Sequence, residues 1–182
     1  MFEEHSAGLS SLRMYEGVMN MRYTTVNNRV VNCAAMDDVE VEFLRRLEGA
    51  IGDDSMSPDE MRALVYGAEN PILDHEAMPG QPLVTRATLD NPVFRICVDC
   101  LSRKDIRAGR IDLAQAHAAY TVDVPTAAEQ LGVSPQAVRA GIDSFKYDAL
   151  FARGQWWMRP ETVASLKLSR EGGRLVKVPK PA

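Results

Sequence analysis

Gln136 and Arg139 stand three positions apart in VPTAAEQLGVSPQAVRAG (Val124–Gly141). On a helix that spacing puts both on one face, turned away from Val138 and Ile142. A glutamine amide can pair with an adenine edge and an arginine guanidinium with a guanine edge, and either can hold a phosphate. Ser134, Ala137 and Ala140 share the face. Lys146, Arg153, Gln155 and Arg159 follow closely in sequence, and the three cations suit phosphates. The bland alternative is a solvated helix face with ordinary surface charges.

Other candidate chemistry is sparser. Cys97-Val-Asp-Cys100 has the CxxC spacing of a metal or redox site. It falls on an apolar helical face, however, and the third Cys lies 64 residues upstream at Cys33. Two small buried residues one turn apart is the favoured reading. His5, His75 and His117 form no spacing motif. The chain has no Gly-rich phosphate loop, nucleophile elbow or HExxH. Asp37-Asp38 and Asp53-Asp54 read as helix caps and solvated loops. No catalytic constellation, metal site or cofactor is expected, so the chain does not read as an enzyme.

The candidate contacts need a short helix, a tight turn and a second helix to position them. Thr126–Leu131 is too short to stand alone and must pack on a neighbour. Gly132 suits a positive-φ turn. Ser134 caps the next helix and Pro135 is pre-set for its first position, with the helix running to about Phe145. Ala127 and Ala128 allow close approach, and Leu131, Val133, Val138 and Ile142 supply a small shared core. This is the helix-turn-helix arrangement, whose second helix enters a DNA major groove. ALFARGQWWMR (Ala149–Arg159) then reads as two short strands around Arg153-Gly154-Gln155, placed as a wing. Trp156 and Trp157 must point to opposite faces; Trp156, with Met158 on its side, is expected to close the core. Pro160 and Glu161 open a last helix carrying Val163 and Leu166.

The order VPTAAEQLGVSPQAVRAGI…ALFARGQWWMRPETVASL resembles the excisionase/MerR-type winged helix-turn-helix module. That family shows a Pro-x-x-Ala-Ala-x-x-Leu-Gly-Val-Ser core, matched here from Ala127 to Ser134 with Pro125 one position closer, a small wing with Gly before an aromatic, and a closing helix. The resemblance covers about residues 121–168 and implies double-stranded DNA as partner. Gly141 and Asp143 stand where the family often has bulkier or basic residues, which lowers the charge of the recognition helix. Residues 1–115 resemble no family.

Upstream, RYTTVNNRVVNC (Arg22–Cys33) reads as a hairpin about Asn27-Asn28, after a tail or short helix over residues 1–20. Asp37–Gly52 is a helix, capped by Asp37 or Asp38, with Val39, Phe43, Leu47 and Ile51 on one face. Ser57–Ala68 is a second, with Ser57, Pro58 and Glu60 forming a capped start. Residues 69–84 read as a Pro-rich connector. Asn91–Arg107 is a third helix, apolar at Val93, Ile96, Cys97, Cys100 and Leu101, and Ile111–Tyr120 a fourth. The expected fold class is mainly α: an N-terminal helical domain with a short hairpin, plus a C-terminal winged helix-turn-helix. The expected divisions are 1–35 (tail or hairpin), 36–117 (acidic helical domain), 118–170 (winged domain) and 171–182 (basic tail).

With 182 residues, 46 % hydrophobic and 25 % charged, the totals are those of an ordinary soluble protein. No apolar run approaches the roughly 20 residues that span a bilayer. The acidic start MFEEHSAGLSS lacks the order of a signal peptide, so no membrane and a cytoplasmic location are expected. Three Cys argue against a disulfide framework. The net charge of −4 divides unevenly: residues 1–80 carry 15 acidic against 6 basic residues, and residues 134–182 carry 4 against 9. Such asymmetry suggests two tasks in one chain. Three readings fit. One is a sequence-specific transcription regulator of repressor type, a homodimer whose acidic half self-associates or docks a partner protein. Another is an architectural or recruiting DNA-binder of the excisionase, packaging-subunit or autoregulating-antitoxin kind. The third is a protein-interaction module whose winged domain no longer binds DNA.

Overall fold

The computed structural model describes residues 12–15, 18–75 and 83–172, and side chains within 21–75 and 83–169. The chain divides into two compact units between Leu113 and Ala114, four residues before the boundary expected from sequence.

The first unit opens with an antiparallel sheet, β1 (Leu12–Tyr15), β2 (Val18–Thr24) and β3 (Val30–Met36), in that order. The expectation of a tail or short helix over residues 1–20 is corrected here for 12–15 and 18–20. Those residues are strands because they pair with each other, Leu12 opposite Met21 and Tyr15 opposite Val18, and because Met19 also pairs with Met36 on β3; strand pairing of this kind overrides a weak local preference. The expected turn is present: Asn28 takes φ 56° and its N–H donates to Thr25 O at 2.9 Å. Asn tolerates that conformation better than most side chains.

Helix α1 (Asp38–Gly52) starts at a full capping box, with Asp37 accepting from Glu40 N and Glu40 accepting from Asp37 N. Its buried stripe follows the i, i+3 row Val41, Leu44, Leu47, Ala50, with Phe43 beside it. This row winds oppositely to the i, i+4 row drawn from sequence. Val39, expected in the core, is therefore rotated out and 62 % exposed. Helix α2 (Pro58–Val65) has the expected Ser57/Glu60 box but ends three residues early, at the Tyr66 cap. The connector holds a lone bridge, Asp74 to Leu83, and is followed by a short helix, α3 (Arg86–Asp90), which the sequence reading lacks.

Helix α4 (Pro92–Arg107) is the centre of this unit, packed on α1, α2, α3 and β3. All five expected apolar residues are buried. Asp99, Lys104 and Asp105 are buried on it too. Lys104 Nζ donates to Ala50 O (3.0 Å) and Asp53 O (2.7 Å), placing a cation on the open carbonyls at the end of α1. Asp99 accepts from Tyr23 OH (2.6 Å), Val26 N (2.8 Å) and Arg103 Nε (2.9 Å), tying the hairpin to α4.

The second unit comprises α5 (Leu113–Ala118, whose first residue belongs to the first unit), β4 (Val122–Asp123), α6 (Val124–Leu131), α7 (Pro135–Asp143), β5 (Leu150–Ala152), β6 (Gln155–Met158) and α8 (Pro160–Gly172). Its sheet is antiparallel in the order β4-β6-β5. Val122, Val124, Ala127, Ala128, Leu131, Val138, Ile142, Ala149, Met158 and Val163 form one core. With eight helices and two small sheets among the described residues, the fold is mainly α. No helix among them is long and apolar enough to cross a membrane. Most of the expected basic tail, residues 173–182, and His5 lie outside the described residues.

Candidate functional site

The site is built on α6, α7 and the β5–β6 hairpin. Helix α6 begins two residues earlier than expected because Asp123 caps it, accepting from Thr126 N at 2.9 Å. Hydrogen bonds from Thr126 hold the Asp123 carboxyl below the usual carboxylate range. The same residue ends β4, opposite Trp157. At the other end Gly132 takes φ 64° and ψ 39°, and the N–H groups of Gly132 and Val133 close on Glu129 O and Ala128 O. The helix stops where a residue without Cβ can turn left-handed. Ser134 Oγ then accepts from Ala137 N at 3.1 Å and starts α7, with Pro135 in its first turn. Ala127, Ala128, Val138 and Ile142 are buried between the two helices, as their sequence pattern required.

Ser134, Gln136, Ala137, Arg139 and Ala140 are exposed on α7. The helix ends at Asp143 rather than near Phe145, because Phe145 takes φ 58° and the N–H groups of Lys146 and Tyr147 return to Gly141 O. In the hairpin, Ala152 faces Gln155 across Arg153 (φ 54°) and Gly154 (φ 77°). Positive φ at both central residues is the turn type that suits the twist of a two-residue hairpin. Arg in its first position is unusual, since a Cβ there is strained.

A groove of about 350 Å³ runs between α7 and the hairpin. It is lined by Arg139, Asp143, Phe151, Gln155 and Trp156, with Val124 and Pro125 at its α6 end. The fold thus brings Arg139 and Gln155 to one groove. Ser134, Gln136, Ala137 and Lys146 lie outside its walls. Phe151 and Trp156 meet edge to face at 5.0 Å. Trp156 packs on the core with Met158, as expected, whereas Trp157 faces the other way and donates its indole N–H to Ala152 O at 3.1 Å.

The charges of the two units differ in kind. In the first, Arg45, Arg46, Arg62, Arg86, Arg95, Arg103, Arg107 and Arg110 all sit in ion pairs with acidic residues. In the second, Arg139, Lys146 and Arg153 are exposed and make no ion pair among the described residues. Arg159 is different. Its guanidinium lies 4.6 Å over the Tyr120 ring, its Nε is 3.8 Å from Asp148 Oδ2, and Tyr120 OH donates to the same oxygen at 2.7 Å. Burial and that hydrogen bond push the Tyr120 hydroxyl up to about 12. Arg159 therefore braces the base of the hairpin. Tyr120 and Asp148 carried no signal in sequence, since they are 28 positions apart.

Cys97 and Cys100 sit one turn apart on the buried face of α4, and Cys33 is buried on β3. Burial pushes the Cys33 thiol up to about 11 and the Cys100 thiol to about 12, and raises Cys97 as well. Such thiols act as small apolar groups. Comparison with known proteins finds no matching family model, no matching curated protein and no matching solved structure.

Proposed function

We propose that the C-terminal unit is a winged helix-turn-helix that binds double-stranded DNA sequence-specifically, and that the chain is a transcription regulator of repressor type. In this reading α7 enters the major groove, Gln136 and Arg139 reach base edges, and the Arg153 hairpin is the wing. Ser134 and Ala137, at the start of α7, approach the backbone, and Lys146, Arg153 and Gln155 hold phosphate or sugar. Arg159 contributes by bracing the wing. The observation that carries the reading is the set of uncompensated cations beside a short capped helix, in a chain whose other described arginines are largely neutralised by their own acids. An exposed cation left without an acidic partner is available to phosphate, and the release of counterions supplies affinity. The acidic first unit repels phosphate, so its role is self-association or docking of a partner protein.

Selection of bound sites from a random duplex pool, with the mass of the complex measured alongside, tests this. A palindromic consensus bound by a dimer supports the regulator. Several copies bending one long site would favour an architectural or recruiting role. No enriched site, with no binding to any duplex, would leave a protein-interaction module.

A further inference from the structure

We infer that the face of the hairpin opposite α7 holds a binding slot for a small planar aromatic carboxylate. A cavity of about 590 Å³ lies between α5 and the β5–β6 hairpin, within the range of small-molecule sites. Trp157 and Leu150 form one wall and Ala114 and Ala118, one helical turn apart, form the other. Arg153 stands in its lining at the tip of the hairpin.

Three features make this a site and not a packing gap. First, α5 has six residues, of which Leu113, Ala116 and His117 are only half-buried and none is fully buried. A helix that short is unstable without packing, and alanines at the positions facing Trp157 leave the space unfilled. Second, the Trp157 indole N–H is already bonded to Ala152 O, so the ring offers its apolar surface and leaves no polar demand. Third, Arg153 is a cation without an ion pair among the described residues, held at φ 54° where Asn or Gly would sit without strain. Backbone strain of this kind gathers at functional positions. A flat ring slides between Trp157 and the two alanines, and a carboxylate on that ring meets the Arg153 guanidinium, which binds carboxylates in a two-pronged fashion.

Arg153 also belongs to the proposed wing, and one guanidinium cannot serve a ligand carboxylate and a DNA phosphate together. Occupancy of the slot therefore weakens duplex binding. This coupling rests on the duplex-binding reading; the slot itself does not.

The test is a titration of the ¹⁵N-labelled full chain with benzoate, read at the two tryptophan indole N–H signals, assigned with Trp156→Phe and Trp157→Phe. Saturable movement of the Trp157 signal is expected, with benzyl alcohol, which has the ring but no carboxylate, binding about 10-fold more weakly. Arg153→Gln should remove that difference, and Ala118→Leu, at an exposed helix position, should fill the slot and abolish both. No saturable shift up to tens of millimolar, equal binding of the two probes, or a response unchanged in Ala118→Leu overturns the proposal. In a parallel arm, benzoate should raise the Kd for a selected duplex in the wild type and leave Arg153→Gln unaffected. Failure of any duplex to bind counts against the DNA reading alone, while the indole titration still decides the slot.

Discussion

The Tyr147 ring occupies the space a side chain at Gly141 would need: a Cβ at position 141 would stand 2.2 Å from Tyr147 Cε2. The glycine that departs from the bulkier residues of the resembled family is thus the seat of an aromatic ring that closes the turn after α7. Alanine is the better helix former by roughly 1 kcal/mol, but overpacking costs about 1–3 kcal/mol. Gly141→Ala should therefore lower the urea midpoint. Both tryptophans of the chain lie in this unit, so their fluorescence reports its unfolding directly. In a Tyr147→Ala background the same change should be neutral or stabilising; an equal cost in both backgrounds would refute the contact.

On α7, Gln136→Ala and Arg139→Ala should each weaken cognate binding by about 1–3 kcal/mol and relax preference at one position of the site. Equal affinity of the double variant for cognate DNA would remove this helix as the reader.

Phosphate contacts behave differently from base contacts. Lys146→Gln and Arg153→Gln should weaken binding to all duplexes alike, each reducing the salt slope by about one unit. Arg159→Ala should instead destabilise the unit by about 0.5–1 kcal/mol through loss of its stacking on Tyr120. Urea melts and salt titrations on the three variants separate the two roles.

The buried thiols give the first unit a pH dependence whose sign is fixed. Their folded pKa values are raised, as is that of Tyr23, chiefly by burial. The neutral forms are favoured in the fold, so this stability is fully present below the unfolded thiol value of 9.0 and is lost as pH rises towards 11 to 12. Circular dichroism melts should fall across that window, less steeply when the three cysteines are replaced by alanine. Ellman's reagent at pH 8 should label the thiols only after unfolding.

Oligomeric state separates the two units. The full chain should scatter light as a dimer at tens of micromolar, and residues 114–182 as a monomer that binds the same DNA more weakly. A dimeric fragment would move self-association into the second unit.

The elements legible in the sequence were those whose causes span a few residues. The Asp37/Glu40 and Ser57/Glu60 boxes, Pro58, Asn91-Pro92 and the Gly132–Pro135 punctuation each act through hydrogen bonds or sterics between neighbours in the chain. So every helix but α3, the turn and the exposed face of α7 could be read from residue types alone. The tertiary structure decided whatever depends on a distant partner. Strand β4 exists because Met158 and Trp157 offer an edge. Tyr23 finds Asp99 across 76 positions, and Lys104 reaches the end of α1 across 54. Arg159 has Tyr120 and Asp148 beside it, neighbours that its own segment does not announce, and Val39 looked buried until the i, i+3 row of α1 turned towards α4. A hydrogen bond or stacked ring between remote residues leaves no periodicity in either segment. Only the closed chain, which sets the distance between them, makes such a pair.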